Sequence, residues 1–418
     1  MTEFHETIII GAGAAGLMAA YWCCRKSGPN DVIILERNSE AGKKITATGN
    51  GKCNFTNKFQ DSSCYRSEDS ERAFSFIKRF NEDSVISFFE EIGLPCYERN
   101  GYCYPVSEQA KSVRDSLENR VFKRGARIIY DREICKISAN SKSREFILKT
   151  SANTEYSCNN LIIACGGKAY PKFGSDGSIF KHLKELNITL VESGPSLVGL
   201  KSDSSDLKHL DGVRCRANIS LFTSANCSPV YEEYGEIIFN KSGISGIPVL
   251  NASRFAVKAL QQGKKTEIKL DLYVNKSKNE LTDYLCKLFS SSGMSALKAA
   301  CGLLNDKLFR LLLIKSGFEP EAKIRPENDI KEKVNILADN IKNFTINITG
   351  DAGYDNAQTS LGGVAFSEVD DNLQSIRYPG LFFAGEILDV DGKCGGYNLQ
   401  WAWTSGYIAA NGIKKRIS

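Results

Sequence analysis

The chain has 418 residues, 42% of them hydrophobic and 25% charged, so it is long enough for two or three globular domains. No apolar stretch approaches the roughly 20 residues that span a bilayer, which excludes a transmembrane helix. The net charge of +5 permits a polyanionic partner without requiring one, and short basic runs such as 414–416 are typical of solvated surface.

The N-terminal pattern predicts a strand, a glycine-rich turn, a helix and a second strand. Short runs typical of buried parallel strands occur at 7–10 and 32–35, and an apolar helix is predicted at about 14–27. The first run leads directly into glycines and has no basic region before it, unlike a secretory signal. We therefore expect a cytoplasmic protein with no membrane partner.

Residues 37–57, after the second strand, are rich in Gly, Asn, Thr and Lys. This segment is too long for a simple connector and is a candidate functional loop. Beyond it, periodicity predicts helices at 71–80, 83–92 and 108–124, and strands at 127–130, 133–138, 145–149, 156–157 and 161–164.

The sequence pattern changes near residue 193 and becomes mostly β. Strands are predicted at 198–200, 217–223, 236–239 and 265–272, and leucines at helical spacing predict a helical insert between about 276 and 316. A helix at 328–343 and strands at 345–348 and 381–383 precede a final helix from about 399. We infer one nucleotide-binding domain built from both ends of the chain, with another domain inserted between them.

The strongest motif is the glycine turn between the first strand and the first helix, with Glu36 after the second strand. Gly11 allows the tight turn, Gly13 allows close approach of a pyrophosphate, and Gly16 allows the helix to pack on the sheet. The helix N-terminus stabilises phosphate charge, and Glu36 can accept hydrogen bonds from both hydroxyls of an adenosine ribose. Because the acidic residue argues against a 2′-phosphate, the motif predicts FAD or NAD rather than NADP.

Two further segments favour FAD over NAD. Residues 42–57 form a long loop after the second strand for which a simple NAD dehydrogenase has no use. Near the C-terminus, a strand ends in Gly385-Glu386, and 395–399 lead into a helix. Such a helix N-terminus can stabilise the negative charge that reduced flavin carries at N1.

At this point the chain resembles the bacterial flavoprotein family that includes aminoacetone oxidase, BaiN-like bile-acid reductases and the ribosomal RNA dihydrouridine synthase. The segments that carry the resemblance are GAGAAGLMAA, GKKITATGNGKCNFTN, IIACGGKAYPKFGSDG, TSLGGVAFSEV and PGLFFAGEILDVDGKCGGYNLQWAW. The chain departs from the family at 49–53, which reads GNGKC in place of Gly-Gly-Gly-Arg-Cys. It also departs at 239–246, where the common Phe-Thr-His is Phe-Asn-Lys, and this leaves the substrate open.

The resemblance implies an α/β fold: a glutathione-reductase-like Rossmann FAD domain with an inserted mostly-β domain that carries a helical subdomain. We expect an FAD-binding domain at 1–192 and 345–418. We expect a β-rich substrate domain at 193–274 and 318–344, and a helical insert at 275–317.

The resemblance also implies a set of cofactor contacts. Those for the adenosine and pyrophosphate are Gly11, Gly13, Gly16, Glu36 and Lys44, with Ile134 by the adenine and Ala164 and Gly166 by the diphosphate. Those for the ribityl chain and flavin ring are Gly385, Glu386, Gly396, Asn398 and Leu399, with Asn50, Cys53 and Asn54 near the isoalloxazine. The predicted set is completed by Ala14, Ala15, Arg37, Thr48 and Tyr397.

The activity implied is hydride addition to a carbon–carbon double bond conjugated to a carbonyl, as in uracil or an oxo-steroid. Such a reaction needs an acid that protonates the α-carbon, and the candidates are Cys53 and Tyr397. The alternative for Cys53 is a thiol that only packs within the loop, and the alternative for Tyr397 is a ring that only lines the flavin. NAD(P)H is the expected hydride source, docking transiently because no second GxGxxG follows a strand. The alternatives are an amine oxidase that releases peroxide and a flavin-containing RNA-binding protein.

The 14 cysteines and 3 histidines form no recognisable metal or dithiol motif, since Cys-x-x-Cys and His-x-x-x-His are absent. We expect reduced and mostly buried thiols and no metal. The expected partner is a small-molecule enone or ribosomal RNA, and the expected state is a monomer.

Overall fold

A computed structural model of the chain describes residues 2–25, 31–140, 145–224, 228–324 and 330–413. Within these residues the chain divides into two compact units, one formed by residues 1–194 and 358–418 and the other by residues 195–357. The basic run predicted to be solvated surface, 414–416, lies outside the described residues.

The first part of the chain alternates strands and helices. Its strands are β1 (Thr2–Ile10), β2 (Val32–Leu35), β3 (Thr56–Asn57), β4 (Tyr65–Arg66), β5 (Cys96–Arg99), β6 (Tyr102–Pro105), β7 (Arg127–Ile129), β8 (Ile134–Asn140), β9 (Glu145–Thr150), β10 (Glu155–Ile163) and β11 (Leu190–Ser196). Its helices are α1 (Ala14–Cys24), α2 (Lys43–Thr46), α3 (Ser70–Ile77), α4 (Glu82–Glu91), α5 (Ala110–Lys123) and α6 (Ile179–Glu185).

The unit of residues 195–357 combines strands with a run of helices. Its strands are β12 (Leu200–Lys201), β13 (Arg214–Thr223), β14 (Tyr231–Asn240), β15 (Gly243–Ser245), β16 (Thr266–Asp271), β17 (Phe344–Ile348) and β18 (Gly350–Asp351). Its helices are α7 (Ile247–Gln261), α8 (Lys278–Ser292), α9 (Ala296–Ala299), α10 (Asp306–Lys315) and α11 (Ile330–Lys342). The chain then closes the first unit with β19 (Thr359–Val364), β20 (Leu381–Phe383), β21 (Asp391–Gly392) and α12 (Tyr397–Gly412).

The central sheet of the first unit has the order β7-β2-β1-β10, with β20 paired to β10. These pairs are all parallel, and β9 and β8 continue the sheet from β10 in antiparallel pairs. The side chains of β2 and β20 and those at the carboxyl ends of β1 and β10 are buried on both faces, as expected for parallel strands covered by helices. This order is that of a Rossmann-type nucleotide-binding fold, and the predicted α/β class is confirmed.

The second unit is built on an antiparallel sheet of order β17-β16-β13-β14-β15-β12-β18. On β13, Ala217, Ile219 and Leu221 alternate with more exposed residues, so one face of the sheet is buried. The helices predicted as an insert contribute Leu285 and Leu312 to the same hydrophobic core as that face. The predicted mostly-β inserted domain with a helical part is therefore present, and its helices share the core of its sheet.

Some elements differ from the sequence-based expectations. Helix α7 was not predicted, although its sequence is as amphipathic as that of the predicted helix α4; its polar residues Asn251, Ser253 and Arg254 are buried. Strand β17, predicted at the start of the returning FAD domain, pairs with β16 and belongs to the unit of residues 195–357. The roles assigned to the domains remain predictions.

Candidate active site

A large cleft lies in the first unit, at the carboxyl ends of the parallel strands. Its volume is about 1360 Å³, part of which is open solvent, and its lining residues belong to this one unit. Residues at the ends of β1, β2, β10 and β20 contribute to the wall, which is where α/β sheets bind ligands. Its lining runs from the glycine turn after β1 to Leu399 near the start of α12, so the cleft suits an extended ligand.

The glycine turn after β1 forms one wall of the cleft. The N–H of Gly11 donates to the Leu35 carbonyl at 2.9 Å, and α1 starts at Gly13 without a side-chain cap. A Cβ at Gly16 would lie 1.9 Å from the Gly11 carbonyl oxygen, so this position has no room for a side chain. A Cβ at Gly13 would meet nothing within 4 Å, because Gly13 faces the cleft. The turn therefore leaves space beside an uncapped helix N-terminus, which suits a pyrophosphate.

The carboxylate of Glu36 lies at the next strand end and is held by the backbone. Its Oε2 accepts from the Ala12 N–H at 2.7 Å, and its Oε1 accepts from the Asn38 N–H at 2.8 Å and from Asn38 Nδ2 at 2.7 Å. Each carboxylate oxygen offers two lone pairs, so these contacts leave one acceptor position, on Oε2. The prediction that Glu36 accepts hydrogen bonds from both ribose hydroxyls needs two acceptor positions, and this orientation of the carboxylate leaves one.

A loop from Gly166 to Ser178 borders the same end of the cleft and is tied down by Arg37 and Asn38. Arg37 donates to Asp176 at 2.7 Å, and Asn38 Nδ2 donates to the Phe173 carbonyl at 3.1 Å. Burial of Asp176 disfavours its charge, but hydrogen bonds from Ser178 and the Arg37 guanidinium outweigh this and lower the pKa of the carboxyl. The loop is thus held by an ionised carboxylate at neutral pH.

Two polar atoms in the cleft wall lack partners among the described residues. They are the buried hydroxyl of Ser175 and the Nε of Arg132. Buried polar groups are normally hydrogen-bonded, so two unpartnered polar atoms on residues that line the cleft fit a site for a polar ligand such as a nucleotide. The sequence-based set missed both. Ser175 lies within one of the resemblance segments, which was the only signal that could have indicated it.

The far end of the cleft carries an ion pair. Lys44 Nζ donates to Glu386 Oε2 at 2.7 Å, and both residues line the cleft. Helix α12 begins at Gly396 without a side-chain cap, and its Leu399 lines the wall. The Asn398 amide is engaged with the backbone of Gly392, which secures the turn before the helix. This end therefore combines an uncapped helix N-terminus with a charged pair.

The cleft brings together most of the predicted cofactor residues. Those that line it are Gly11, Gly13, Ala14, Ala15, Glu36, Arg37, Lys44, Thr48, Ile134, Ala164, Gly166, Gly385, Glu386, Asn398 and Leu399. Those that are not among the described lining residues are Gly16, Asn50, Cys53, Asn54, Gly396 and Tyr397. Asn50 is exposed, while Asn54 accepts from the backbone of Cys103 at 3.2 Å.

Neither of the two candidate acids is among the described residues that line the cleft. Cys53 is fully buried, and burial raises the pKa of its thiol to about 12 despite a hydrogen bond with Thr48. Tyr397 is 8% exposed, and burial followed by the neighbouring Cys64 raises the pKa of its hydroxyl far above the ordinary value. Both groups are therefore protonated at neutral pH, and their role as acids remains a prediction.

Within the described residues, no group of three or more His, Cys, Asp or Glu side chains is arranged to hold a metal ion. Across the same residues, none of the helices has both the length and the apolar character to cross a membrane. None of the described cysteines forms a disulfide.

The sequence matches the family described as HI0933-like protein Rossmann domain over residues 5–412. The chain belongs to this family. It is 35% identical to the 3-dehydro-bile acid delta(4,6)-reductase of Clostridium scindens, over 98% of each chain. It is 30% identical to the ribosomal RNA dihydrouridine synthase of Haemophilus influenzae over the full length of both, and 26% identical to that of Escherichia coli over 98% of each.

Solved structures support the same fold. The 3-ketosteroid delta1-dehydrogenase of Sterolibacterium denitrificans aligns with a TM-score of 0.51 at 10% identity, covering 98% of this chain and 99% of that one. The 3-ketosteroid-delta4-(5alpha)-dehydrogenase of Rhodococcus jostii aligns with a TM-score of 0.50 at 13% identity, covering 98% and 96%. The predicted family is confirmed, and the chain is an FAD-dependent oxidoreductase.

Proposed function

We propose that this enzyme reduces a carbon–carbon double bond conjugated to a carbonyl, with a small oxo-steroid-like enone as substrate. The observation that carries the proposal is the full-length similarity to a reductase that acts on a 3-dehydro-bile acid, at 35% identity. The cleft supports it, because the wall offers what an extended dinucleotide needs at both ends.

We assign FAD to the cleft residue by residue. The turn at Gly11 and Gly13 would hold the pyrophosphate against the N-terminus of α1, and Glu36 the adenosine ribose. Ser175 and Arg132 would contribute to the same half of the site, since both residues line the cleft and each has a buried polar atom without a partner among the described residues. At the other end, Glu386 and the backbone that starts α12 would hold the ribityl chain and the flavin, with Asn398 securing the turn. Lys44 was predicted on the pyrophosphate, but its ion pair with Glu386 leads us to assign it to this end instead.

When bound, FAD supplies a hydride acceptor and donor at the flavin. The chain's own contribution is to orient that group and to supply a proton for the α-carbon of the substrate. The N-terminus of α12 would stabilise negative charge at the flavin edge. Cys53 and Tyr397 are both protonated. Cys53 is hydrogen-bonded to Thr48, which lines the cleft, and Tyr397 directly precedes the lining residue Asn398, so we propose either as the proton donor.

We further propose NAD(P)H as the hydride source, a cytoplasmic location and a monomeric enzyme. A transient NAD(P)H site is required because the sequence has no second dinucleotide-binding glycine motif after a strand.

The decisive experiment uses FAD-loaded protein under anaerobic conditions. NADH or NADPH should bleach the flavin. A 3-oxo steroid with conjugated double bonds should then reoxidise it, which restores the yellow colour, and the steroid product should be two mass units heavier because it has gained two hydrogens. Flavin that stays oxidised with both nicotinamides, or reduced flavin that is not reoxidised by any enone, would contradict the proposal. Bleaching by an aminoketone with peroxide release in air would identify an amine oxidase instead.

A second candidate substrate is uracil in ribosomal RNA, supported by the 30% identity to a ribosomal RNA dihydrouridine synthase over the whole chain. Uracil contains the same conjugated arrangement. Mass spectrometry of 23S ribosomal RNA from a gene-deletion strain and its parent distinguishes the two substrates. Loss of one dihydrouridine in the deletion strain would favour RNA, and an unchanged content would leave the small enone.

A further inference from the structure

One resemblance segment, TSLGGVAFSEV, contributes no residue to the predicted cofactor site. Its Ser360, on β19, is 2% exposed and is not among the described residues that line the cleft. The side chain nevertheless reaches the cleft indirectly, through the carboxylate of Glu386.

Ser360 binds one oxygen of Glu386 with two donors. The Ser360 N–H donates to Glu386 Oε1 at 2.9 Å, and the Ser360 hydroxyl donates to the same oxygen at 2.8 Å. The other oxygen, Oε2, accepts from Lys44 Nζ at 2.7 Å. The carboxylate is therefore held from two sides, and rotation about its last bond would break contacts on both.

The hydroxyl of Ser360 is itself fixed. It accepts from the Lys168 N–H at 3.1 Å, which directs its hydrogen towards Glu386. A Cβ at Gly167 would lie 2.1 Å from the Ser360 hydroxyl oxygen, so the backbone of residues 167–168 closes over this side of the contact. Ser360 is consequently buried, while the Glu386 carboxylate is partly buried, and hydrogen bonds to a charged group strengthen where water is excluded.

We propose that Ser360 is a positioning residue that holds the Glu386 carboxylate, jointly with Lys44, in the orientation in which Glu386 binds the hydroxyl chain of the cofactor. The proposal rests on the assignment of FAD to this cleft. Ser360 touches Glu386 and not the cleft, so it acts on the ligand only through that carboxylate, as outer partners of binding groups do. The segment around β19 would thus contribute to cofactor binding although Ser360 does not line the cleft.

The test is a titration of apoprotein with FAD, followed by quenching of flavin fluorescence. Removal of the hydroxyl in Ser360→Ala leaves the backbone donor in place, so we expect FAD binding to weaken roughly tenfold. Ser360→Thr retains a hydroxyl and should restore most of the affinity. Ser375→Ala is the matched control, because Ser375 is equally buried in the same unit, bonds to backbone N–H groups and does not line the cleft.

A double-mutant cycle separates positioning from a general structural role. In a Glu386→Ala background the Ser360→Ala change should have almost no further effect on the FAD dissociation constant, since the carboxylate it orients is gone. The melting temperature of each apoprotein reports folding independently of the cofactor.

The outcomes are distinct. Unchanged FAD affinity in Ser360→Ala, or an undiminished effect in the Glu386→Ala background, would overturn the inference while leaving the cofactor assignment intact. A loss of affinity that Ser360→Thr does not reverse would also overturn it, if Ser360→Thr apoprotein melts like wild type. Failure of the wild-type protein to bind FAD at all would overturn the cofactor assignment and this inference with it.

Discussion

The two units of this chain differ in the constraints that act on their side chains. In the unit of residues 1–194 and 358–418, the residues around the cleft leave space and unpaired polar groups for a ligand: a Cβ at Gly13 would meet nothing within 4 Å, and Ser175 has a buried hydroxyl without a partner among the described residues. In the unit of residues 195–357, one hydrophobic core joins a sheet and its helices, and apolar periodicity accounts for most positions. Substitutions of the first unit's cofactor-binding residues should therefore affect FAD binding, and core substitutions in the second unit should affect stability.

The largest expected effect is at Gly13. A valine there is accommodated by the fold, since nothing lies within 4 Å of its Cβ, but its side chain fills the space assigned to the pyrophosphate. We expect Gly13→Val to weaken FAD binding at least roughly 100-fold, equivalent to about 2.7 kcal/mol. The check is the FAD content of the purified protein, with the melting temperature of the apoprotein as control. A yellow, FAD-loaded variant would show that the pyrophosphate lies elsewhere.

The second unit should respond through its core. Leu337 on α11 is fully buried, and Leu337→Ala should lower the free energy of unfolding of this unit by about 2–5 kcal/mol. Denaturant unfolding measures this. The neighbouring Ile336 is 42% exposed on the same helix, so Ile336→Ala should change stability by less than about 0.5 kcal/mol. A weaker FAD affinity in Leu337→Ala, measured where the protein is folded, would break the contrast between the units.

A smaller effect is expected where the loop bordering the cleft is tied to Arg37. Asp176→Asn removes the ion pair and should cost about 0.2–1 kcal/mol at neutral pH. Because the pKa of Asp176 is lowered in the folded protein, its contribution is complete above the unfolded value near about 4 and is lost as the pH falls through the lower folded value. Unfolding free energies of wild type and variant should therefore converge below about pH 4, and a difference independent of pH would contradict this.

The smallest expected signal concerns Cys53, which should show almost no thiol reactivity in the native protein. With a pKa of about 12, roughly one molecule in 10⁴ carries the thiolate at pH 8. The exposed Cys135 and Cys301 should be labelled first by an alkylating reagent, and Cys53 only after unfolding. Mass-spectrometric mapping reads out the order. Rapid labelling of Cys53 in the native protein would indicate access from the cleft and strengthen its candidacy as the proton donor.

Much of the first unit could be predicted, because its signals are local. The β-branched run before Gly11, the spacing of the glycines and Glu36 twenty residues after Gly16 lie within one strand–helix–strand segment. The prediction of β2 agrees with the structure at both ends. Helix α7 was missed although its amphipathic periodicity is comparable to that of α4, and the burial of its polar residues could be seen only in the structure.

The sequence by itself determined the fold class and the family, because short-range patterns of glycine, charge and hydrophobicity encode the Rossmann unit. Only the tertiary structure decided how distant segments meet. Lys44 and Glu386 are separated by 342 positions in the sequence, yet Lys44 Nζ lies 2.7 Å from Glu386 Oε2. Ser360, from a third segment, donates a hydrogen bond to the other carboxylate oxygen of Glu386. Glu386 follows β20 of the parallel sheet, whereas Lys44 lies on α2 and Ser360 on β19, which pairs with β11 in a separate sheet. Their meeting therefore depends on the packing of separate elements, of which sequence spacing carries no record.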